Sequence, residues 1–458
     1  MTGPVRRAGR GPGADGRLTR KELLAGAAAG GSALALSGFH PSKLLAAPAW
    51  PPPSAYAAEV PLLWFDLALE LVRTTPGFSP PVASRAFGYA GVALYEALVP
   101  GMPGRPSLVG QLNELPHAPR PSDRAYHWPT VASGALSSIL RSLFPTATAQ
   151  SAAAIDELER RFETSAQAVL PRGVYRRSVA SGEEVAAQVF AWSTTDGGHE
   201  AFLRSFPPYA PPSGPGFWVP TPPGFLSALQ PYWGANRPFA LSSGGDCSPA
   251  PPPSYSEEAG SAFYAEAYEC YAAVGRLTPE QEAVARFWSD DPGQTPTPPG
   301  HSISILTQVA RTLDVSLARA AEAYAKVGIA VADAFIACWS TKYLYNLLRP
   351  VTYIRNLVDP AWTPPLATPP FPEYTSGHSV QSGAAAQVLT DLFGEVAFID
   401  RTHERRGLPA RSFRSFSEAA EEAAVSRLYG GIHFRAAIER GLEQGRCIGR
   451  HVSALASR

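Results

Sequence analysis

Three features of the chain predict an all-α fold. Apolar residues recur at spacings of three and four along most of its 458 residues. The segments between those runs are rich in proline and lack the strict apolar–polar alternation of a half-buried strand. No stretch repeats another, so a solenoid is not expected.

The elements follow in order. Leu62, Leu63, Phe65, Leu69 and Val72 mark a first helix, and Phe87, Val92, Leu94 and Leu98 a second over 82–99. Further helical periodicity covers 132–143, 152–162, 174–192, 257–274 and 279–288. A long helix is expected over 316–348, and three more over 379–393, 417–429 and 434–454. Ser417 is read as an N-cap, with Glu418, Glu421 and Glu422 near the positive end of its helix. Proline-rich connections lie at 207–223, 248–253, 292–299 and 364–372. The expected organisation is a leader over 1–58 and one helical bundle over 59–458, with a division between 250 and 300 as the alternative.

Thirty-nine Lys and Arg balance 39 Asp and Glu, so nothing in the charge points to nucleic acid or an acidic membrane as partner. The four cysteines, Cys247, Cys270, Cys338 and Cys447, contain no close pair of the zinc-binding kind. Cys338 and Cys447 lie in apolar helical runs and read as core, and Cys247 and Cys270 are the candidate disulfide. Arg6, Arg7, Arg10, Arg17, Arg20 and Lys21 precede an apolar stretch from Leu23 to Leu36, which is short for a membrane span. This reads as an export signal with a twin-arginine-like Arg20-Lys21, cleaved near Ala47-Pro48-Ala49 or Ala55-Tyr56-Ala57. The protein is therefore expected in the periplasm or outside the cell. No later segment reads as a membrane span.

Three short segments carry chemistry. In the first, Lys342 and Arg349 are seven residues apart, two turns along one helix face, with Pro350 ending the helix at Arg349. Two cations among apolar neighbours call for an anion between them. In the second, a proline-rich loop runs through Phe371 and Glu373 into Ser376-Gly377-His378 at the start of a helix. A helix start offers unpaired N–H groups to an anion, Ser376 adds a hydroxyl, and Gly377 permits close approach. In the third, Arg427 is followed by Gly430-Gly431 and His433, so a turn brings a guanidinium and an imidazole toward one space.

Taken together, the pattern Lys-x6-Arg-Pro, Ser-Gly-His and Arg-x5-His resembles the superfamily that unites vanadium-dependent haloperoxidases, type 2 phosphatidic acid phosphatases and bacterial acid phosphatases. All seven of its anion-pocket positions are present: Lys342, Arg349, Ser376, Gly377, His378, Arg427 and His433, within 339–437. The segment from Trp64 to Gly101 also looks like the N-terminal region of secreted bacterial haloperoxidases. The resemblance implies a helical bundle with a vanadate pocket at its centre. It makes His433 the metal ligand and gives the vanadate oxygens to Lys342, Arg349, Ser376, Gly377 and Arg427. His378 would be the acid–base group, and Lys342 would polarise hydrogen peroxide before halide attack. The product would be hypohalous acid, which halogenates organic acceptors. Trp339 and Phe371 match pocket-wall positions of fungal-type chloroperoxidases.

The phosphatase branch would use the same residues on phosphate, with His433 as the nucleophile of a phosphohistidine and His378 as acid and base. A non-catalytic oxyanion-binding protein is a third reading. The absence of a membrane span and the export signal favour the haloperoxidase. One departure stands out: the family often places Asp four residues after the second histidine, where this chain has Ala437. A ligand histidine needs an acceptor on its other nitrogen, so a carbonyl or another carboxylate is expected there. Asp290 or Asp291 is expected to pair with a pocket arginine, and His301 to sit at a helix start. His199 and His403 sit in polar surroundings and carry no motif.

Overall fold

The computed structural model describes residues 50–117, 125–204 and 207–455. The basic run, the apolar stretch and the first cleavage candidate lie outside the described residues. From Pro48 onward the chain forms one unit.

Its order begins with α1 (Glu59–Thr74), α2 (Pro80–Leu98), α3 (Trp128–Leu143), α4 (Ala149–Gln167) and α5 (Arg172–Ser193). A long irregular segment then leads to α6 (Ala262–Val274), α7 (Pro279–Phe287), α8 (Thr297–Thr312) and α9 (Leu317–Tyr345). The order closes with α10 (Pro350–Leu357), α11 (Gly377–Phe393), α12 (Phe416–Tyr429) and α13 (Arg435–Ser453). Between α11 and α12 a small antiparallel hairpin pairs β1 (Phe398–Asp400) with β2 (Arg411–Phe413), Phe398 opposite Phe413. The fold is all-α apart from this ribbon.

α9 is the axis. It is apolar nearly all round, as a helix surrounded by others must be. It packs along α2 and against α8, α11 and α13, while α3 packs on α5 and α11 on α13. Close helix contacts require glycine: a Cβ on Gly91 of α2 would lie 2.5 Å from the Tyr324 carbonyl oxygen of α9, for example, and one on Gly445 of α13 would lie 2.1 Å from that of Val380 on α11. The buried carboxylate of Asp333, midway along α9, accepts the N–H groups of Phe239, Ala240 and Leu241 at 2.6, 2.8 and 3.1 Å. The irregular segment is thereby tied to the axis, and the acid is not left unpaired.

Several expectations are corrected. α9 ends at Tyr345, where Asn346 takes a left-handed conformation (φ 48°) and its N–H returns to the Lys342 carbonyl. Arg349 is therefore not on the helix of Lys342; it is the extended N-cap of α10, as a residue before proline prefers. α10 was not anticipated, nor was α8 at its proline-rich start. The cap of α12 is Ser415, whose hydroxyl accepts the Glu418 N–H, and not Ser417. The disulfide joins Cys247 to Cys447, with Cα atoms 5.8 Å apart, and Cys270 is a free buried thiol. Periodicity placed Cys447 in a helix correctly, but only the packing of the irregular segment on α13 brings Cys247 to it. Among the described residues no helix is long and apolar enough to cross a membrane.

Candidate active site

The site forms where the C-terminal end of α9, the loop before α11 and the turn between α12 and α13 converge. Each delivers one of the three segments. Lys342 lies on the last turn of α9, Arg349 at the start of α10, and Ser376 caps α11, its hydroxyl accepting the Ser379 N–H. Arg427 lies on the last turn of α12. The chain then turns at Gly431 (φ 70°), a conformation glycine adopts without strain, and presents His433 just before α13. Lys342, Arg349, Ser376, Arg427 and His433 are all buried, and His378 is half-buried.

Phe371 and Trp339 form one wall. Their rings are 4.9 Å apart, and the Lys342 ammonium and the Arg349 guanidinium lie 5.0 and 4.8 Å from the Phe371 ring centre. The Trp339 indole donates to the Leu229 carbonyl at 3.2 Å, so the irregular segment roofs this wall. A Cβ on Gly377 would face Trp339 at 3.8 Å, which puts the start of α11 on the same wall.

The cations are partly anchored and partly free. Lys342 donates to the carbonyls of Pro372 and Glu373, both at 2.9 Å. Arg349 donates through Nε to Phe371 and through Nη1 to Ile432, each at 2.8 Å, and its Nη2 has no partner. Arg427 donates to Ser426 Oγ and to the Ala285 carbonyl at 2.9 and 3.2 Å. Burial pushes Lys342 down to about 7 and both guanidinium groups down to about 10. Three desolvated cations around one space form an incomplete electrostatic arrangement that an anion completes.

Glu373 supplies the acceptor that Ala437 cannot. His433 Nδ1 donates to Glu373 Oε1 at 2.8 Å, and the Phe434 N–H meets the same oxygen at 2.9 Å. The other ring nitrogen, Nε2, lies 3.2 Å from Arg349 Nη1 and turns its lone pair toward the cations. Burial and the charges of Arg349, Lys342 and Arg427 hold His433 well below the usual imidazole range, so the ring stays neutral, as a ligand or nucleophile must be. Burial raises Glu373 to about 7 against the pull of Lys342 and Arg349. His378 is held low by burial first and then by Arg427, and its Nε2 has no partner. The residue missed by sequence was thus Glu373. Its only signal was an acid in the loop before Ser376-Gly377-His378.

Asp290 does not pair with a pocket arginine. It is buried on His301 and His403, with Arg427 only within electrostatic reach. His301 lies in the first turns of α8, and His403 is buried against Asp290. His199 is part-exposed beside Glu200. A cavity of about 430 Å³ lined by Glu59, His127, Glu159 and Glu163 opens elsewhere, between α1, α3, α4 and α5.

Comparison with known proteins decides the family. Residues 322–361 and 357–458 match the family described as VCPO second helical-bundle domain. A bacterial vanadium-dependent iodoperoxidase of known structure is 40% identical, with a TM-score of 0.80 over 87% of this chain and 96% of that one. The chain belongs to the vanadium-dependent haloperoxidase family. Vanadium chloroperoxidase of Curvularia inaequalis is 26% identical over 408 residues, 74% of this chain and 66% of the fungal protein. A bacterial vanadium-dependent chloroperoxidase in its holo form shares the fold at 17% identity, with a TM-score of 0.64 over 84% of this chain and 94% of that one. A vanadium haloperoxidase needs a neutral imidazole aimed at a nest of cations. His433 Nε2, the free Arg349 Nη2 and the open His378 Nε2 fit a bound vanadate on that test.

Proposed function

We propose that this haloperoxidase uses vanadate held by His433 to oxidise halide with hydrogen peroxide, giving hypohalous acid that halogenates organic acceptors. The observation that carries the reading is the His433–Glu373 pair facing Lys342, Arg349 and Arg427. Bound vanadate supplies a Lewis acid that activates peroxide toward a nucleophilic halide. The chain does the rest. Glu373 holds the Nδ1 proton of His433 and leaves Nε2 as the ligand nitrogen. Lys342, Arg349 and Arg427, with Ser376 and the Gly377 N–H, would hold the vanadate oxygens, and Lys342 would place its positive charge beside the entering peroxide. His378 would accept and return a proton at its free Nε2 as peroxide enters the pocket. Trp339 and Phe371 exclude water from the halide approach.

Iodide is the first halide to assay. The relative at 40% identity is named an iodoperoxidase, and iodide is the most easily oxidised of the halides tested in such assays. The decisive experiment loads the purified protein with orthovanadate and follows iodide and bromide oxidation by hydrogen peroxide, beside a tube with aryl phosphate. Vanadate-dependent halide oxidation that disappears in His433→Ala supports the reading. Aryl phosphate hydrolysis inhibited by vanadate, without halide oxidation, moves the site to the phosphatase branch. Anion binding without turnover of either kind makes it an oxyanion trap. The bundle is proposed as one catalytic domain over 59–458. Export is proposed as well: a basic then apolar leader precedes it, and the Cys247–Cys447 disulfide suits an oxidising compartment. N-terminal sequencing of protein recovered from the periplasm or medium tests the leader.

A further inference from the structure

Behind the anion pocket lies a group of ionisable residues that the proposed chemistry does not use. His301 of α8 is 1% exposed. Its Nδ1 lies 2.9 and 3.1 Å from the two oxygens of Asp290, and its Nε2 lies 2.7 Å from Asp400 Oδ2. A carboxylate only accepts, and a neutral imidazole has one donor. A ring with a carboxylate at each nitrogen therefore carries both protons. His403 Nε2 adds a third contact to Asp290 at 3.1 Å, and the Thr402 N–H meets Asp400 Oδ1 at 2.9 Å. The indole of Trp288 stacks on His301, ring centres 4.4 Å apart and planes 19° apart, as a cation on an aromatic face does. The groups facing His301 are thus Asp290, Asp400 and His403, from the loop before α8, from β1 and from the turn after β1. The two carboxylates raise it to about 10 against its burial, and Asp290 and Asp400 are held low in return.

The group reaches the pocket on two paths. The Trp288 backbone lies near enough to the His378 ring to favour its protonated form, and Asp290 lies within electrostatic reach of both His378 and Arg427. We propose that His301 is a permanent imidazolium that positions Asp290: it keeps the carboxylate on itself and His403, leaves Arg427 to the oxyanion, and places a fixed negative charge behind His378. The charge state of His301 stands by itself; its effect on halide oxidation rests on the haloperoxidase reading. The charged groups that face His378 are Arg427 on α12, Asp290 and His301, with the neutral His433 ring across the pocket.

The test begins without vanadate. NMR of full-length protein carrying isotope-labelled histidine nitrogens is expected to find both His301 nitrogens protonated from about pH 6 to about pH 9. A bare nitrogen in that range overturns the proposal. So does a stoichiometric metal other than vanadium in elemental analysis of the purified protein, since Asp290, His301 and His403 present ligand atoms close enough together to hold one. Next, His301→Gln is expected to weaken both vanadate and phosphate binding roughly tenfold. Asp400→Asn, a milder change should the first variant fold poorly, is expected to lower the His301 titration and weaken binding less. Unchanged anion affinity in a folded variant rules out the positioning role. In the vanadate-loaded enzyme the acid limb of halide oxidation is expected to move to higher pH in His301→Gln, because a cation near His378 is lost. Expected NMR and anion-binding results without any halide oxidation would sink the haloperoxidase reading and leave this proposal standing.

Discussion

Glu373 stands 60 residues before His433, yet its Oε1 takes both the ring proton and the Phe434 N–H. The charge and the orientation it provides are separable. Glu373→Ala is expected to cost vanadate affinity roughly 10- to 100-fold, and Glu373→Gln less, because an amide oxygen can still accept both protons. Titration followed by vanadium NMR measures this. Ala437 is fully buried and its carbonyl already accepts the Ser376 N–H at 3.0 Å. Ala437→Asp is therefore expected to lower the melting temperature without tightening vanadate, since His433 Nδ1 has its acceptor. Lys342 gives a proton-linked prediction. Burial lowers it from 10.5 to about 7 in the anion-free pocket. Between those values the ammonium is largely discharged until an anion restores it. Vanadate binding near pH 8 is then expected to take up protons, seen as a dependence of the calorimetric heat on buffer ionisation enthalpy.

At the scale of elements, the break between α9 and α10 determines where two of the cations stand. A straight helix over 316–348 would have stacked Lys342 and Arg349 on one face. Asn346 instead turns left-handed, its side chain held by Tyr209 and its carbonyl by the Trp218 N–H at 2.7 Å. Arg349 then points back across the loop before α11 to Ile432 and His433. Asn346→Gly is expected to preserve the turn. Asn346→Val, β-branched at positive φ, is expected to destabilise by roughly 1–3 kcal/mol and to weaken vanadate binding, checked by denaturant unfolding and titration. Periodicity found the long helices because burial on one face repeats every turn. It could not find this break, because no Gly or Pro marks it before Pro350.

For the molecule as a whole, pH and redox state are the accessible controls. His378 and His433 are both held below the usual imidazole range when buried, so the unfolded chain binds their protons more readily. The stability tied to them is present above about 6.5 and is lost as pH falls from there through the lowered folded values. The melting temperature of anion-free protein is expected to fall on acidification through this range, and scanning calorimetry at several pH values checks it. The Cys247–Cys447 bridge closes a loop of 200 residues, for which chain entropy alone gives a stabilisation of about 5 kcal/mol as an upper figure. Reduction, or Cys447→Ser, is expected to lower the melting temperature by several degrees.

The sequence by itself determined the helical class and the family resemblance and supplied the seven candidate residues of the anion pocket, because each depends on local periodicity or on short spacings that chemistry constrains. Tertiary structure alone decided which carboxylate orients His433, which cysteine pairs with Cys447, and that His301 lies between Asp290 and Asp400 rather than merely opening a helix. These are contacts between distant segments. Burial makes each partner necessary, since an unpaired charge or donor in the core is costly, but residue spacing carries no record of which segment supplies it.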